Sequence, residues 1–332
     1  MQTAIASIFV FLLVILLHEF GHFTVAKLVG IRVNEFSVGM GPKLLQKKSG
    51  ETLYTLRALP IGGYVQMEGE DEESNDPRGF NNAPIFARIA TVTAGAIMNF
   101  ILAFVVFSIV SFSTGMPTTA VKATPNSPAE VSGILEGDRI ISVNGIDINS
   151  WNDITDTVSK LPSDQEVRIE VLRDGKEEIF NVMPTTEENR TIIGITPVYE
   201  KSFLLGLKGG LENTWTFLKL MFEFIEMLFK GQVSINDFSG PVGVINEVGQ
   251  AAKGGFLNLL VLLGFISVNL GFFNLLPIPA LDGSKILFLL IELIRGKPID
   301  PKKEGFVNLI GFAFLISFML IITYKDILRL FY

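Results

Sequence analysis

Residues 4–28 read AIASIFVFLLVILLHEFGHFTVAKL. No charge occurs before Glu19, and the first Lys or Arg is Lys27. At about 1.5 Å of rise per residue, a helix over residues 3–28 is long enough to cross about 30 Å of hydrocarbon. A secretory leader would carry a basic start and a small-residue cleavage site. Neither is present, so segment 1–30 is expected to stay as a membrane helix. His18, Glu19 and His22 interrupt its apolar run. Ionisable groups at that depth are costly, so they mark a functional site by default.

The rest of the chain agrees with a membrane setting. Hydrophobic residues make up 48% and charged residues 18% of the 332 positions, and mean hydropathy is +0.44. This excludes a disordered chain and argues against a simple soluble enzyme. There is no cysteine. Disulfide scaffolds, cysteine nucleophiles and thiolate metal sites are therefore excluded. The two histidines are the whole supply of imidazole. The net charge of −7 sits in residues 120–201, with 15 acidic and 8 basic side chains; the remainder is balanced. Nucleic acid is not an expected partner.

Four spans are expected: 1–30, 89–115, 256–294 and 303–325. Between the first two, residues 31–88 hold short alternating runs. Turn signals at Gly39-Met40-Gly41-Pro42, Ser49-Gly50 and Gly62-Gly63 predict β-hairpins, followed by a polar loop over 70–82. Residues 120–200 alternate strand-like runs with turns at Asn144-Gly145 and Asp174-Gly175. Trp151, Ile154 and Val158 share one face of a helix over 150–161. This reads as a soluble α+β module. Segment 201–255 begins with an apolar helix carrying Lys219, Glu223 and Glu226. Those charges suit a helix lying on the membrane surface. The 1–2 connection (Lys27, Arg32, Lys43, Lys47, Lys48, Arg57, Arg78, Arg88) and the 3–4 connection (Lys285, Arg295, Lys297, Lys302, Lys303) are basic. Both are expected to be cytoplasmic, with the N-terminus and acidic module outside. Lys325 and Arg329 oppose this mildly.

His18-Glu19-Phe20-Gly21-His22 is an H-E-x-x-H sequence. Residues i and i+4 of a helix share a face, so both imidazoles can bind one zinc ion, and Glu19 can take a proton from water beside it. A hydrolytic zinc site needs a third protein ligand, and no third histidine exists. A carboxylate must serve. Asp282 is the leading choice, since its segment and the first helix both descend from outside to a similar depth. Glu292 is a weaker competitor, and a helix-capping role for Asp282 stays open. Asn274 and Asn99 could contact substrate backbone or a developing oxyanion, or could hold helices together. Pro277 and Pro279 break the helix beside Asn274. Gly95 is expected to serve close packing.

These motifs resemble the site-2 protease family of zinc intramembrane proteases, closest to its bacterial RseP-type branch. The resemblance rests on His18–His22, on Asn274-Leu-Leu-Pro277-Ile-Pro279-Ala-Leu281-Asp282-Gly283, and on Pro60-Ile-Gly62-Gly63-Tyr64-Val65. Gly95-x-x-x-Asn99 and Ser239-Gly240-Pro241-Val242-Gly243 match as well. The module resembles a bacterial PDZ domain through Ser127-Pro128-Ala129, Glu136-Gly137-Asp138-Arg139-Ile140 and Val143-Asn144-Gly145. There is room for one such module, whereas some members carry two.

The resemblance implies a polytopic α-helical protein with an inserted extracytoplasmic PDZ domain, in a bacterial cell membrane. It implies one Zn2+ per chain and cleavage of single-pass membrane proteins. Anti-sigma factors already trimmed outside and signal-peptide remnants are the implied substrates, with chain ends binding the PDZ groove. Gly62 and Gly63 would let a strand edge approach an unwound substrate segment. Two competing readings are a non-catalytic PDZ scaffold and a metal transporter using the His/Asp cluster. A transporter would usually show internal repeats, and none is visible.

Overall fold

A computed structural model describes residues 1–70, 74–187 and 190–331. Residues 71–73 of the expected polar loop lie outside the described residues. The chain divides into two units, residues 111–209 and the rest.

In the larger unit α1 (Gln2–Leu28) leads into β1 (Val33–Ser49) and β2 (Thr52–Met67), then α2 (Ile85–Thr114). Helix α2 starts four residues before the expected 89. β1 and β2 form a hairpin that folds back on itself. Phe36 is aligned with Val65 on one side and Tyr54 on the other, while Tyr54 also meets Lys47. All three expected reversals occur, with positive φ at Gly39, Gly41, Gly50 and Gly62. One face of this sheet packs on α1 through Phe23, which touches Phe36 and Tyr54.

The inserted unit holds β3 (Met116–Ala123), α3 (Pro128–Val131), β4 (Arg139–Val143), β5 (Ile146–Asp147) and α4 (Trp151–Ser159). Strands β6 (Val167–Arg173), β7 (Lys176–Val182), β8 (Thr185–Glu187), β9 (Arg190–Ile192) and β10 (Ile195–Glu200) follow. The main sheet runs β10-β3-β4-β6-β7. Val167, Ile169 and Val171 of β6 face inward at alternate positions, onto Ile154 and Val158 of α4 and Ile140 of β4. That alternation is what a half-buried strand requires. A capping box of Ser150 and Asp153 starts α4. β3 and β10 pair at Met116 and Glu200, so the unit's two ends lie side by side.

The chain continues with α5 (Phe203–Phe229), α6 (Pro241–Lys253), α7 (Phe256–Leu275), α8 (Asp282–Arg295) and α9 (Pro301–Phe331). Among the described residues four helices are long and apolar enough to span: α1, α2, α7 and residues 302–329 of α9. The expected segment 256–294 is two helices, divided where Pro277 and Pro279 were expected to break it. Pro277 and Pro279 cannot donate to a helical ladder, so α7 stops at Leu275 and α8 starts at Asp282. Helix α5, expected at the membrane surface, is not among those four and packs one face on the bundle. Phe217, Met221 and Ile225 pack on Phe107 of α2 and on Val268 and Phe272 of α7. Its aromatic face serves helix packing.

The bundle core joins Val10 and Val14 of α1, Leu102 and Val106 of α2, Val248 of α6 and Leu263 of α7. Asp326 near the end of α9 accepts the backbone N–H groups of Gly240 and Gly243, both at 2.8 Å, and so caps α6. This accounts for the Ser239–Gly243 motif structurally.

Candidate metal centre

His18 and His22 stand one helical turn apart on α1, both 8% exposed. Their Nε2 atoms lie 3.2 Å apart. Asp282 Oδ2 lies 3.2 Å from His18 Nε2 and 3.3 Å from His22 Nε2. The three atoms form a nearly equilateral triangle. Tetrahedral zinc with bonds of about 2.0–2.1 Å keeps its ligand atoms about 3.3–3.4 Å apart. The triangle therefore fits one zinc ion with a fourth position open. A second observation agrees: Asp282 Oδ2 is buried yet makes no directed hydrogen bond. Among the described residues this is the one group of three or more His, Asp or Glu arranged for a metal.

The outer nitrogens of both rings meet α2. His22 Nδ1 lies 2.9 Å from the Thr91 carbonyl oxygen. That oxygen can only accept, so Nδ1 carries the proton and Nε2 presents its lone pair. His18 Nδ1 lies 3.3 Å from Asn99 Nδ2, while Asn99 Oδ1 is buried without a partner. With the amide oxygen and nitrogen exchanged, Asn99 Oδ1 accepts from His18 Nδ1–H, and the ring takes the same tautomer as His22. For Asn99, substrate contact and helix packing were both open. It is fully buried behind His18, a place for orienting the ring. Thr91, Gly95 and Asn99 repeat every four residues, as His18 and His22 do, so α2 presents a matching stripe. Sequence reading missed Thr91. The four-residue spacing from Gly95 was the available signal.

Asp282 is positioned by the break between α7 and α8. Pro277 sits in a tight turn where Ile278 N–H donates to Leu276 O at 2.7 Å. Ala280 takes a φ of +74°. A Cβ on Gly283 would fall 2.0 Å from Leu276 O. Only glycine lets the backbone cross itself here and still launch α8 with Asp282 as its first residue. Pro279 packs against Gly311 of α9. Asn274 is 8% exposed, near the end of α7. The competitor Glu292 is committed elsewhere, in a two-point ion pair with Arg88 at 3.0 and 2.5 Å.

Glu19 projects beside the triangle, within electrostatic range of His22, His18 and Asp282. Gly63 of β2 comes close to it: a Cβ there would lie 3.5 Å from Glu19 Cγ and 2.8 Å from Ser37 O. Gly62 has a φ of +84° and lies against Met40. The glycine pair thus places the hairpin next to Glu19. Leu44, Leu45, Leu56 and Leu59 of the hairpin are exposed.

The inserted unit has its own groove between α4 and β9–β10, with a volume of about 410 Å³. Trp151, Ile154, Val158, Ile193 and Ile195 line it. Beneath the sheet, Asp138 is 2% exposed at its side chain and takes two bonds from Arg173, at 2.7 and 2.6 Å. Burial alone would raise its carboxyl pKa. The Arg173 guanidinium and the Leu135 amide outweigh burial and hold it below the usual carboxylate range.

Residues 6–318 match Peptidase family M50. A chain of Clostridium acetobutylicum described as a zinc metalloprotease is 42% identical over 329 residues, covering 97% of this chain and 96% of its own. The regulator of sigma-W protease RasP of Bacillus subtilis is 34% identical, with 99% of each chain covered. The zinc metalloprotease RasP of Bacillus licheniformis is also 34% identical, with full coverage of both. The PDZ domain of the SdrC-like protein of Listeria monocytogenes is 22% identical over 25% of this chain and 87% of its own, with a TM-score of 0.22.

Proposed function

Since the chain belongs to peptidase family M50 and is a zinc-dependent, site-2-type intramembrane protease, we propose that His18, His22 and Asp282 hold its zinc and that Glu19 is its general base. The observation that carries this reading is the triangle of Nε2, Nε2 and Oδ2 atoms with a carboxylate beside it. When bound, zinc supplies Lewis acidity toward water and the scissile carbonyl. The chain's own groups do the rest. Thr91 and Asn99 hold both rings in the tautomer that directs Nε2 inward. Glu19 takes a proton from the attacking water and returns it to the leaving amine nitrogen, as a general acid–base does.

A membrane helix hides its peptide groups in i→i−4 hydrogen bonds, so a substrate segment must unwind before cleavage. The folded hairpin offers strand edges for the unwound segment, and Gly62-Gly63 keeps the neighbouring backbone slim beside Glu19. Asn274, Pro277 and Pro279 line the opposite approach, where α7 is already broken. The protein is a multi-pass membrane protein. The basic 1–2 and 3–4 connections support a cytoplasmic hairpin, with the N-terminus and PDZ unit outside. The named sigma-W regulator among the relatives supports single-pass membrane proteins as substrates, anti-sigma factors trimmed outside among them. The groove beside α4 suits an extended chain end.

The test is cleavage of a model transmembrane substrate by the purified protein in detergent. Cleavage should stop with a zinc chelator and return on adding zinc. Chelator-resistant cleavage, or zinc binding without any cleavage, would sink the reading; the second result would favour a transporter or scaffold.

A further inference from the structure

Helix α9 is largely exposed along its middle, yet it reaches the metal-bearing turn at one place. Asn308 Oδ1 accepts the Ala280 backbone N–H at 3.2 Å and lies 3.2 Å from the Ser284 hydroxyl, which also donates to Leu281 O at 2.8 Å. Ala280 and Ser284 stand two residues either side of Asp282. One amide oxygen on another helix thus brackets the third ligand.

The turn needs such a bracket. Between Leu275 and Asp282 no helical ladder exists, and Pro277 and Pro279 supply no N–H. Ala280 holds a φ of +74° without being glycine, a conformation that L side chains rarely keep unless their surroundings impose it. The direction of Asp282, first residue of α8, follows from the backbone angles of Ala280 and Leu281. Gly311 lets α9 come close enough: a Cβ there would stand 2.3 Å from Pro279 Cβ.

We propose that Asn308 is a positioning residue for the metal centre, whose bond from the Ala280 N–H, with the Ser284 hydroxyl shared between its Oδ1 and Leu281 O, holds the left-handed turn that aims Asp282 at His18 and His22. This rests on the zinc reading given above. It ties the docking of α9 to the completeness of the ligand set, although α9 contributes no ligand.

The test uses the full-length protein in detergent and reads zinc retained under a competing chelator, with kcat and KM on a transmembrane substrate alongside. Asn308→Leu should weaken zinc retention at least tenfold and lower kcat with little change in KM. Asn308→Asp, which keeps an acceptor oxygen, should recover most of the loss. Ala280→Gly in the Asn308→Leu background should bring retention back to within threefold of wild type, because glycine accepts the left-handed turn unaided. Wild-type zinc retention in Asn308→Leu, or no rescue by Ala280→Gly, would overturn the proposal and leave Asn308 as helix packing. If Asn308→Leu does not fold, Asn308→Gln displaces the same oxygen by one methylene, and unchanged retention there overturns it equally. A wild-type protein that held no zinc would instead refute the metal reading itself.

Discussion

Gly95 of α2 lies against His22 of α1 so closely that a Cβ there would stand 2.3 Å from His22 Nε2 and 2.7 Å from His18 Cε1. The stripe of α2 facing His18 and His22 therefore has its smallest residue between Thr91 and Asn99, the two that meet the outer ring nitrogens. Close approach of the helices and orientation of the two histidine rings are one arrangement.

Gly95→Ala should then damage the site without removing any ligand. Overpacking costs about 1–3 kcal/mol, and if all of it falls on the zinc-bound state it corresponds to about a 5- to 150-fold loss in zinc affinity. Chelator competition on the purified variant measures this. Wild-type affinity would mean that the rings can yield.

Glu19→Gln and Asp282→Ala should fail differently. The first should keep its zinc and lose about 10²–10⁴-fold in kcat, as expected for loss of a general base. The second should lose zinc as well, since a ligand atom is gone. Metal analysis beside single-turnover cleavage separates them. Full zinc in Asp282→Ala would place the third ligand elsewhere.

Met116 and Glu200 are paired neighbours, so residues 120–198 can be deleted and bridged by a short linker. The variant should hold zinc and still cut a short, pre-trimmed substrate. If the unit recruits chain ends, KM should rise at similar kcat, the mark of lost uniform binding. If it excludes bulk, untrimmed substrates should begin to be cut. A folded, zinc-loaded variant inactive on every substrate contradicts both roles.

Asp138→Asn should destabilise the inserted unit by about 2–3 kcal/mol at neutral pH, through loss of charge-assisted bonds to Arg173. The folded carboxyl pKa is depressed. Its stabilisation is complete above the unfolded value of about 3.9 and disappears as pH falls through the lower folded value. The gap between wild type and variant should therefore be constant from pH 7 to about 5 and close only in stronger acid. Urea titrations followed by Trp151 fluorescence, in a Trp215→Phe background, read this directly.

Because the chain has no cysteine, single introduced thiols report its orientation cleanly. Asp164→Cys should react with a membrane-impermeant maleimide in intact cells, and Lys297→Cys only after permeabilisation. The reverse pattern would invert the proposed topology.

Much of this was legible before any coordinates. The spans of α1 and α2 follow from apolar length. The β6 strand follows from the alternation of Val167, Ile169 and Val171. The pairing of His18 with His22 follows from helical periodicity, which fixes neighbours four residues apart. That a carboxylate must complete the set could be reached by elimination, since no third imidazole exists, and depth in the membrane favoured Asp282 over Glu292. The role of Asn99 stayed open in the sequence because a buried amide in an apolar segment looks alike whether it meets a substrate, another helix or a histidine ring. The helices that α5 packs on were not legible either: an aromatic stripe suits lipid headgroups and other helices equally.

The sequence by itself determined which residues can bind a metal, which segments must avoid water and where the chain must turn. These are properties of side-chain chemistry and local backbone geometry, and they travel with the residue. Tertiary structure alone decided that Thr91 and Asn99 stand behind the two histidines, that Gly63 lies beside Glu19, and that Asn308 reaches across from α9 to the turn carrying Asp282. Each of those joins residues far apart in the chain. Their meeting depends on how whole helices pack, and no local pattern encodes that.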